Sequence, residues 1–272
     1  MKEIKLKKVA DASQFKGKPV TYKDYNLVIK EDCIISLEGN FPIVYVSLKN
    51  QVPKELLETL NRIKFEKSVR RNGLKSNNQV VFGNVARDAF KNDYCHHAAI
   101  ELNDEKASLV LKETSNIMSE MFRNLLSPYY KLSMGLLNLP NRAILPQYMM
   151  EGLPYTSGIL NKDNALAYHY DGSNMNGIMS SMLVLKKGIA GGFLSFPQYG
   201  FALECSNESL VIFNGKKILH GVSPIEHDKE IKNSYRYSMV LYTLDKMTEC
   251  DAMEDELSRL QNKFDNPKNK KQ

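Results

Sequence analysis

The sequence predicts an α+β protein in which packed helices precede an antiparallel sandwich or barrel, the jelly roll included. Two observations carry this prediction. From about residue 140 onward, runs of four to eight apolar or alternating residues recur, bounded by Gly, Asn, Asp and Pro. Before them, apolar residues recur at spacings of three and four, the period of a helix face. A chain of 272 residues can bury a full core as one domain. We divide it into an N-terminal helical and β extension (about 1–135), a β core (about 140–245), and a C-terminal helix with a basic tail (246–272).

In chain order, the first segment, MKEIKLKKVADASQFKGK, has scattered lysines but no apolar stretch behind them, so it does not read as a secretory leader. The expected location is the cytoplasm. Pro53 suits a helix start, and Leu56, Leu57, Leu60 and Ile63 then form an apolar stripe, with Arg62, Lys67, Arg70 and Arg71 on the charged faces. A second helix is expected to follow Asn103 as its cap, with Val110, Thr114, Ile117, Met121 and Leu125 on one face, until Ser127-Pro128 stops it. Both should pack against a sheet. The expected strands are ALAYHYD, SSMLVLK, GGFLSFP, ESLVIF, KILHGV and RYSMVLYT. His227, in EHDKE, reads as a surface loop residue. A last helix places Met253, Leu257, Leu260 and Phe264 on one stripe.

No apolar run approaches the roughly 20 residues a membrane helix needs, so no membrane partner is expected. The formal charge is +6, and it is unevenly spread. Residues 1–30 carry eight lysines against three acids, residues 54–75 seven basic residues against three acids, and the tail NKFDNPKNKKQ four against one. Such segments suit a polyanion, although a solvated surface has the same composition. Cys33, Cys95, Cys205 and Cys250 lie far apart without a CxxC pair, so we expect reduced, structural thiols. Neighbouring side chains of a strand point to opposite faces, which argues against Cys95-His96-His97 as a metal cluster.

The chemistry concentrates in the β core. If ALAYHYD is a strand, alternation sets His169 and Asp171 on one face, an imidazole and a carboxylate together. His220, in KILHGV, offers a second imidazole. Two histidines and one carboxylate on one face of an octahedral ion leave three positions open, as iron(II) oxygenases require. A keto acid and dioxygen fill those positions, and the far carboxylate of the keto acid then needs a cation. Arg236 in RYSMVLYT can provide it, with Ser238 on the same strand face.

These residues resemble a family: the oxygenases that include the ten-eleven translocation enzymes, the thymine hydroxylases of base J synthesis, and their small bacteriophage relatives. His169-Tyr-Asp171-Gly-Ser-Asn174-Met-Asn176-Gly177 is similar to the family's HxDxxNMNxG segment. GGFLSFPQYG, ESLVIFNGKKILHGVSPI and VFGNVARDAFKNDYCHHAAI resemble further segments, so the likeness spans about residues 65–245. The size is nearest that of the phage proteins, which implies action in a host cytoplasm.

The resemblance implies a double-stranded β-helix core, iron(II) on His169, Asp171 and His220, and the co-substrates 2-oxoglutarate and dioxygen, with the keto acid's far carboxylate on Arg236 and more weakly on Ser238. It implies that Asn174 faces the target base and that Tyr199 lies near the substrate. A turn residue and a core aromatic are the respective alternatives. Arg87 is expected on phosphate or keto acid, or simply at the surface. The partner implied is DNA with a flipped pyrimidine nucleotide, and no obligate protein partner is evident. The implied reaction hydroxylates the C5-methyl of thymine or 5-methylcytosine. Two rival readings stay open: an oxygenase of RNA, protein or a small molecule, and a non-catalytic nucleic-acid-binding module.

Overall fold

The computed structural model describes residues 1–69, 75–88 and 93–265. Arg70, Arg71, the Phe264 side chain and the tail beyond residue 265 lie outside the described part.

The N-terminal region holds strands that periodicity did not announce: β1 (Lys2–Leu6), β2 (Leu27–Ile29), β3 (Cys33–Leu37) and β4 (Ile43–Ser47). The reason is plain in β4, whose IVYV run is buried on both faces and therefore shows no alternation. Helix α1 (Glu55–Arg62) follows Pro53 as expected and buries Leu56, Thr59 and Leu60. Strands β5 (Glu66–Val69), β6 (Lys75–Val85) and β7 (His96–His97) come next, then α2 (Ala99–Asn103), α3 (Glu105–Leu125) and α4 (Ser127–Leu137).

The cap of α3 is Asp104, one residue beyond Asn103, and its side chain accepts from the Ala107 N–H at 3.0 Å. The buried stripe of α3 is Ala107, Val110, Leu111, Thr114, Met118 and Phe122, rotated from the expected one, with Ile117, Met121 and Leu125 on its flank. Ser127-Pro128 does end α3. The proline then opens α4, in the first turn where a missing N–H costs nothing.

The core strands are β8 (Ser157–Lys162), β9 (Ser180–Lys187), β10 (Ile189–Gly191), β11 (Leu194–Phe196), β12 (Phe201–Leu203), β13 (Ser209–Phe213), β14 (Gly221–Val222), β15 (Ile225–His227) and β16 (Tyr235–Tyr242). Helix α5 (Met253–Asp265) follows. His227 is thus on a strand rather than in a loop, although it is exposed. ALAYHYD is not a strand: it meets the sheets through an isolated bridge between His169 and His220, a bond from Val222 N–H of β14 to Leu166 O at 2.8 Å, and the Tyr168 hydroxyl on Ser195 of β11 at 2.9 Å.

The major sheet runs β1-β3-β4-β13-β9-β16-β8-β6-β5, and a smaller one runs β14-β11-β12-β2. Alternation assigns the two faces of the major sheet. Leu210 and Ile212 of β13, Leu183 and Leu185 of β9, and Tyr237, Met239 and Leu241 of β16 meet α1 and α3. Val211 and Phe213, Met182 and Val184, and Val240 face the small sheet, where Leu194, Phe196, Phe201 and Leu203 close a second core. This is a jelly roll with helices outside. Each fully buried apolar side chain contributes roughly 1.5–3 kcal/mol, so both layers of apolar packing stabilise the central strands.

Two expectations about the C-terminus fail. Leu257 is 53% exposed, whereas Glu256, one position earlier, is completely buried. Of the expected stripe, Met253 packs half-buried on an apolar cluster, and the helix docks further through the Glu256 carboxylate, which receives the guanidinium of Arg87. Cys95 and Cys250 form a disulfide with Cα atoms 5.9 Å apart, while Cys33 and Cys205 are free and buried. Sequence spacing does not reveal which distant thiols the fold brings together. Among the described residues, no helix is long and apolar enough to cross a membrane.

Candidate metal centre

His169 and His220 come together because their backbones bridge, His169 N–H donating to His220 O at 2.8 Å and His220 N–H to His169 O at 3.1 Å. The imidazole centroids are 4.5 Å apart. In each ring Nδ1 lies on a backbone carbonyl two residues back, Ala167 at 2.8 Å and Ile218 at 2.9 Å. A carbonyl only accepts, so Nδ1 carries the proton and Nε2 the lone pair. Both Nε2 atoms point to the Asp171 carboxylate, at 3.5 Å from His169 and 3.8 Å from His220. The three ligand atoms lie within 4.8 Å of one another, a size that suits one metal ion. Both histidines are 5% exposed.

Two residues that sequence reasoning missed shape this cluster. A Cβ on Gly215 would stand 2.2 Å from Asp171 Oδ2, so only glycine leaves the carboxylate its place. Asp171 N–H also donates to Gly215 O at 2.9 Å. The Phe213 ring packs edge-on against His220 at 4.9 Å. Gly215 gives no signal of its own, because its contribution is an absent side chain.

Arg236 and Ser238 lie on the inward face of β16, with Val240 two residues further on. Arg236 as a whole is 1% exposed. Its Nε donates to Gly192 O at 3.1 Å, while Nη2 is buried with no hydrogen-bond partner. Burial, foremost, pushes its pKa down from the usual arginine value, yet a guanidinium keeps its proton in proteins. A buried cation with an orphaned donor is expensive unless an anion completes it. Ser238 accepts from Asn161 Nδ2 at 3.3 Å. The donor set thus fits both an iron(II) ion and a chelating dicarboxylate keto acid.

The remaining predicted residues are placed differently. Asn174 closes the turn after Asp171, its N–H on Asp171 O at 3.0 Å, and its buried amide donates to Ser180 Oγ at 3.1 Å. The Asn174 backbone carbonyl accepts from Lys216 Nζ. Tyr199 is a core aromatic: it is 5% exposed, and its hydroxyl donates to Glu38 O and accepts from Asn40. Arg87 is bound to Glu256 and Asp251 beneath α5, so the cluster it belongs to is not the metal cluster. His96 and His97 are occupied by Tyr94 O and Asn84 Oδ1.

The N-terminal segment reaches the ligands. Gly17 N–H donates to Tyr168 O at 2.8 Å and Tyr168 N–H to Lys18 O at 3.0 Å, directly before His169. Lys16 and Lys18 are exposed, and Lys16 lies 5.9 Å from the Tyr170 ring centroid.

The family Tet_JBP, the oxygenase domain of the 2OGFeDO superfamily, matches residues 91–245, more than half of the chain. No curated protein matches. Among solved structures, NgTET1 in complex with 5mC DNA has a TM-score of 0.57 and 13% identity, covering 91% of this chain and 92% of that one. OsALKBH1 gives 0.43 at 14% identity over 74% of this chain and 96% of that one. A 2OG-Fe(II) oxygenase-family oxidoreductase from Burkholderia pseudomallei gives 0.40 at 12% identity over 74% and 84%.

Proposed function

As a member of the Tet/JBP oxygenase family, this chain is an iron(II)- and 2-oxoglutarate-dependent dioxygenase, and we propose that it hydroxylates the C5-methyl group of a pyrimidine in DNA. His169, Asp171 and His220 would hold the iron, and Arg236, with Ser238 beside it, the far carboxylate of the keto acid. When bound, iron with the keto acid and dioxygen supplies the oxidant that converts a C–H bond to C–OH, while 2-oxoglutarate becomes succinate and carbon dioxide.

The protein's own part is geometric. The carbonyls of Ala167 and Ile218 hold both imidazoles in one tautomer and one orientation. Asn174 and Lys216 tie down the turn that follows Asp171, and so fix the wall beside the metal. The observation that supports the oxygenase reading is a three-ligand cluster in a jelly roll whose inward face also carries the buried, incompletely bonded guanidinium of Arg236.

Three features support DNA as the substrate. The segment from His169 to Asn176 matches the HxDxxNMN part of the family's pattern, with Gly177 following Asn176 directly. The similar fold of NgTET1 was solved with 5mC DNA. Exposed Lys16 and Lys18 flank the ligand-bearing segment, where cations attract phosphates. A methyl inside a duplex cannot reach a buried metal, so the nucleotide must leave the stack, at a cost of a few kcal/mol.

The test is incubation with iron(II), 2-oxoglutarate and DNA containing thymine or 5-methylcytosine, followed by nucleoside mass spectrometry. We expect a hydroxymethyl base from one of the two, absent with His169→Ala. Succinate formation without any modified base would reject DNA and favour RNA, protein or a small molecule.

A further inference from the structure

We infer that Lys186 is a second cation for the far carboxylate of 2-oxoglutarate, acting beside Arg236 to make the site selective for a dicarboxylate keto acid. The inference rests on the reading that Arg236 receives that carboxylate.

In β9, Met182 and Val184 face the inner core, and Lys186 continues the same face. Strand β16 pairs with β9 so that Arg236 lies directly opposite Lys186. Cross-strand partners project their side chains to the same side. The two cations therefore enter the jelly roll together.

Their hydrogen bonds place them more closely. Lys186 Nζ donates to Gly191 O at 3.2 Å and to Glu204 O at 3.3 Å. Arg236 Nε donates to Gly192 O at 3.1 Å, the very next carbonyl. Gly191 and Gly192 have φ of 69° and 67°, a left-handed doublet that turns successive carbonyls toward the two side chains. A Cβ on Gly192 would stand 2.7 Å from Arg236 Cδ and Nε, so the doublet lies against the guanidinium. Burial, first, and the guanidinium beside it lower the pKa of Lys186.

Two cations side by side in a low-dielectric interior repel each other. Their side-chain hydrogen bonds go to neutral groups, the carbonyls and the buried Cys205 thiol, whose pKa burial raises. Of the carboxylates nearby, Asp163 accepts from the Arg236 backbone N–H at 3.0 Å and pairs with His227 at 3.5 Å, and Glu204 pairs with Lys30 at 3.9 Å. Arg236 Nη2 still lacks an acceptor. An anionic group against the pair removes the repulsion and completes the guanidinium. A keto acid without a far carboxylate provides neither.

The test is anaerobic titration of the iron(II)-loaded protein with 2-oxoglutarate and with 2-oxobutyrate, which chelates alike but has no far carboxylate. The visible absorption of the chelated keto acid reports binding without turnover. We expect Lys186→Met to raise the Kd of 2-oxoglutarate about tenfold, to leave that of 2-oxobutyrate unchanged, and Lys186→Arg to restore the preference. If the Met variant does not fold, Lys186→Gln, which keeps a donor for Gly191 O, carries the same comparison. An unchanged Kd for 2-oxoglutarate, or an equal loss for both acids, overturns the inference and leaves Lys186 a strut between carbonyls. The underlying reading fails separately, if Arg236→Met keeps the wild-type preference or the wild type has none.

Discussion

At the scale of single residues, the proposed metal centre depends on an absent side chain as much as on the three side chains it brings together. Gly215→Ala introduces a methyl where Asp171 Oδ2 must lie, at 2.2 Å. The variant should fold, since the position is a turn at the edge of the core, but bind iron roughly 10–100-fold more weakly, the usual effect of disturbing a ligand's support. Iron titration of the apoprotein checks this, and wild-type affinity would show that the turn yields instead. The contrast with the ligands explains what could be read in advance. His169, Asp171, His220 and Arg236 declare themselves because their side chains have few other reasons to share a pattern. Gly215, Gly192 and Lys186 act through space, backbone direction and register, which appear only once strands are paired.

At the scale of elements, α5 is held by charge. Glu256 is fully buried, accepts from Arg87, and also takes the N–H groups of Cys95 at 2.9 Å and Asp251 at 2.8 Å. Arg87→Ala leaves that carboxylate buried without its cation, for which about 3–5 kcal/mol of lost stability is expected. Its affinity for 2-oxoglutarate should be unchanged. Denaturant melts and keto-acid titration of one variant test both statements.

The pH dependence of this clamp has a definite sign. Although burial, the largest single cause, raises the pKa of Glu256, Arg87 and the backbone N–H groups together hold it below the usual value; hydrogen bonds from Arg87 and Arg259 do the same for Asp251. Carboxyls depressed in the folded state stabilise it above the unfolded pKa, about 4, and cease to do so as the pH falls through the folded values. The stability gap between wild type and Arg87→Ala should therefore be full at pH 7 and shrink in acid. A gap that does not change between pH 7 and pH 3 would contradict the ion-pair account. Periodicity pointed to an apolar stripe in α5 because it registers Leu257 and cannot register a buried acid.

At the scale of the molecule, the disulfide Cys95–Cys250 joins residues 155 apart in sequence and so encloses the whole oxygenase core in one covalent loop. Cross-linking a loop of that size restricts the unfolded chain, and 2–5 kcal/mol of stability is the usual contribution. Unfolding with and without a dithiol reductant should differ by that amount, while a Cys95→Ser variant should be insensitive to reductant. The jelly roll itself was legible in the succession of short strands after residue 140. The strands before residue 50 were not, because β4 is buried on both faces and β1 and β2 are short edge pieces that pair in parallel with β3 and β12.

That N-terminal pairing bears on modularity. The family match begins at residue 91, yet β13, β12 and β8 each hydrogen-bond to a strand that precedes it: β4, β2 and β6. Excising residues 91–245 would bare three strand edges at once, the kind of surface that recruits other chains. The stretch that sequence kinship marks out is thus smaller than the stretch that can fold, and a fragment cut at the kinship boundary should precipitate rather than bind metal.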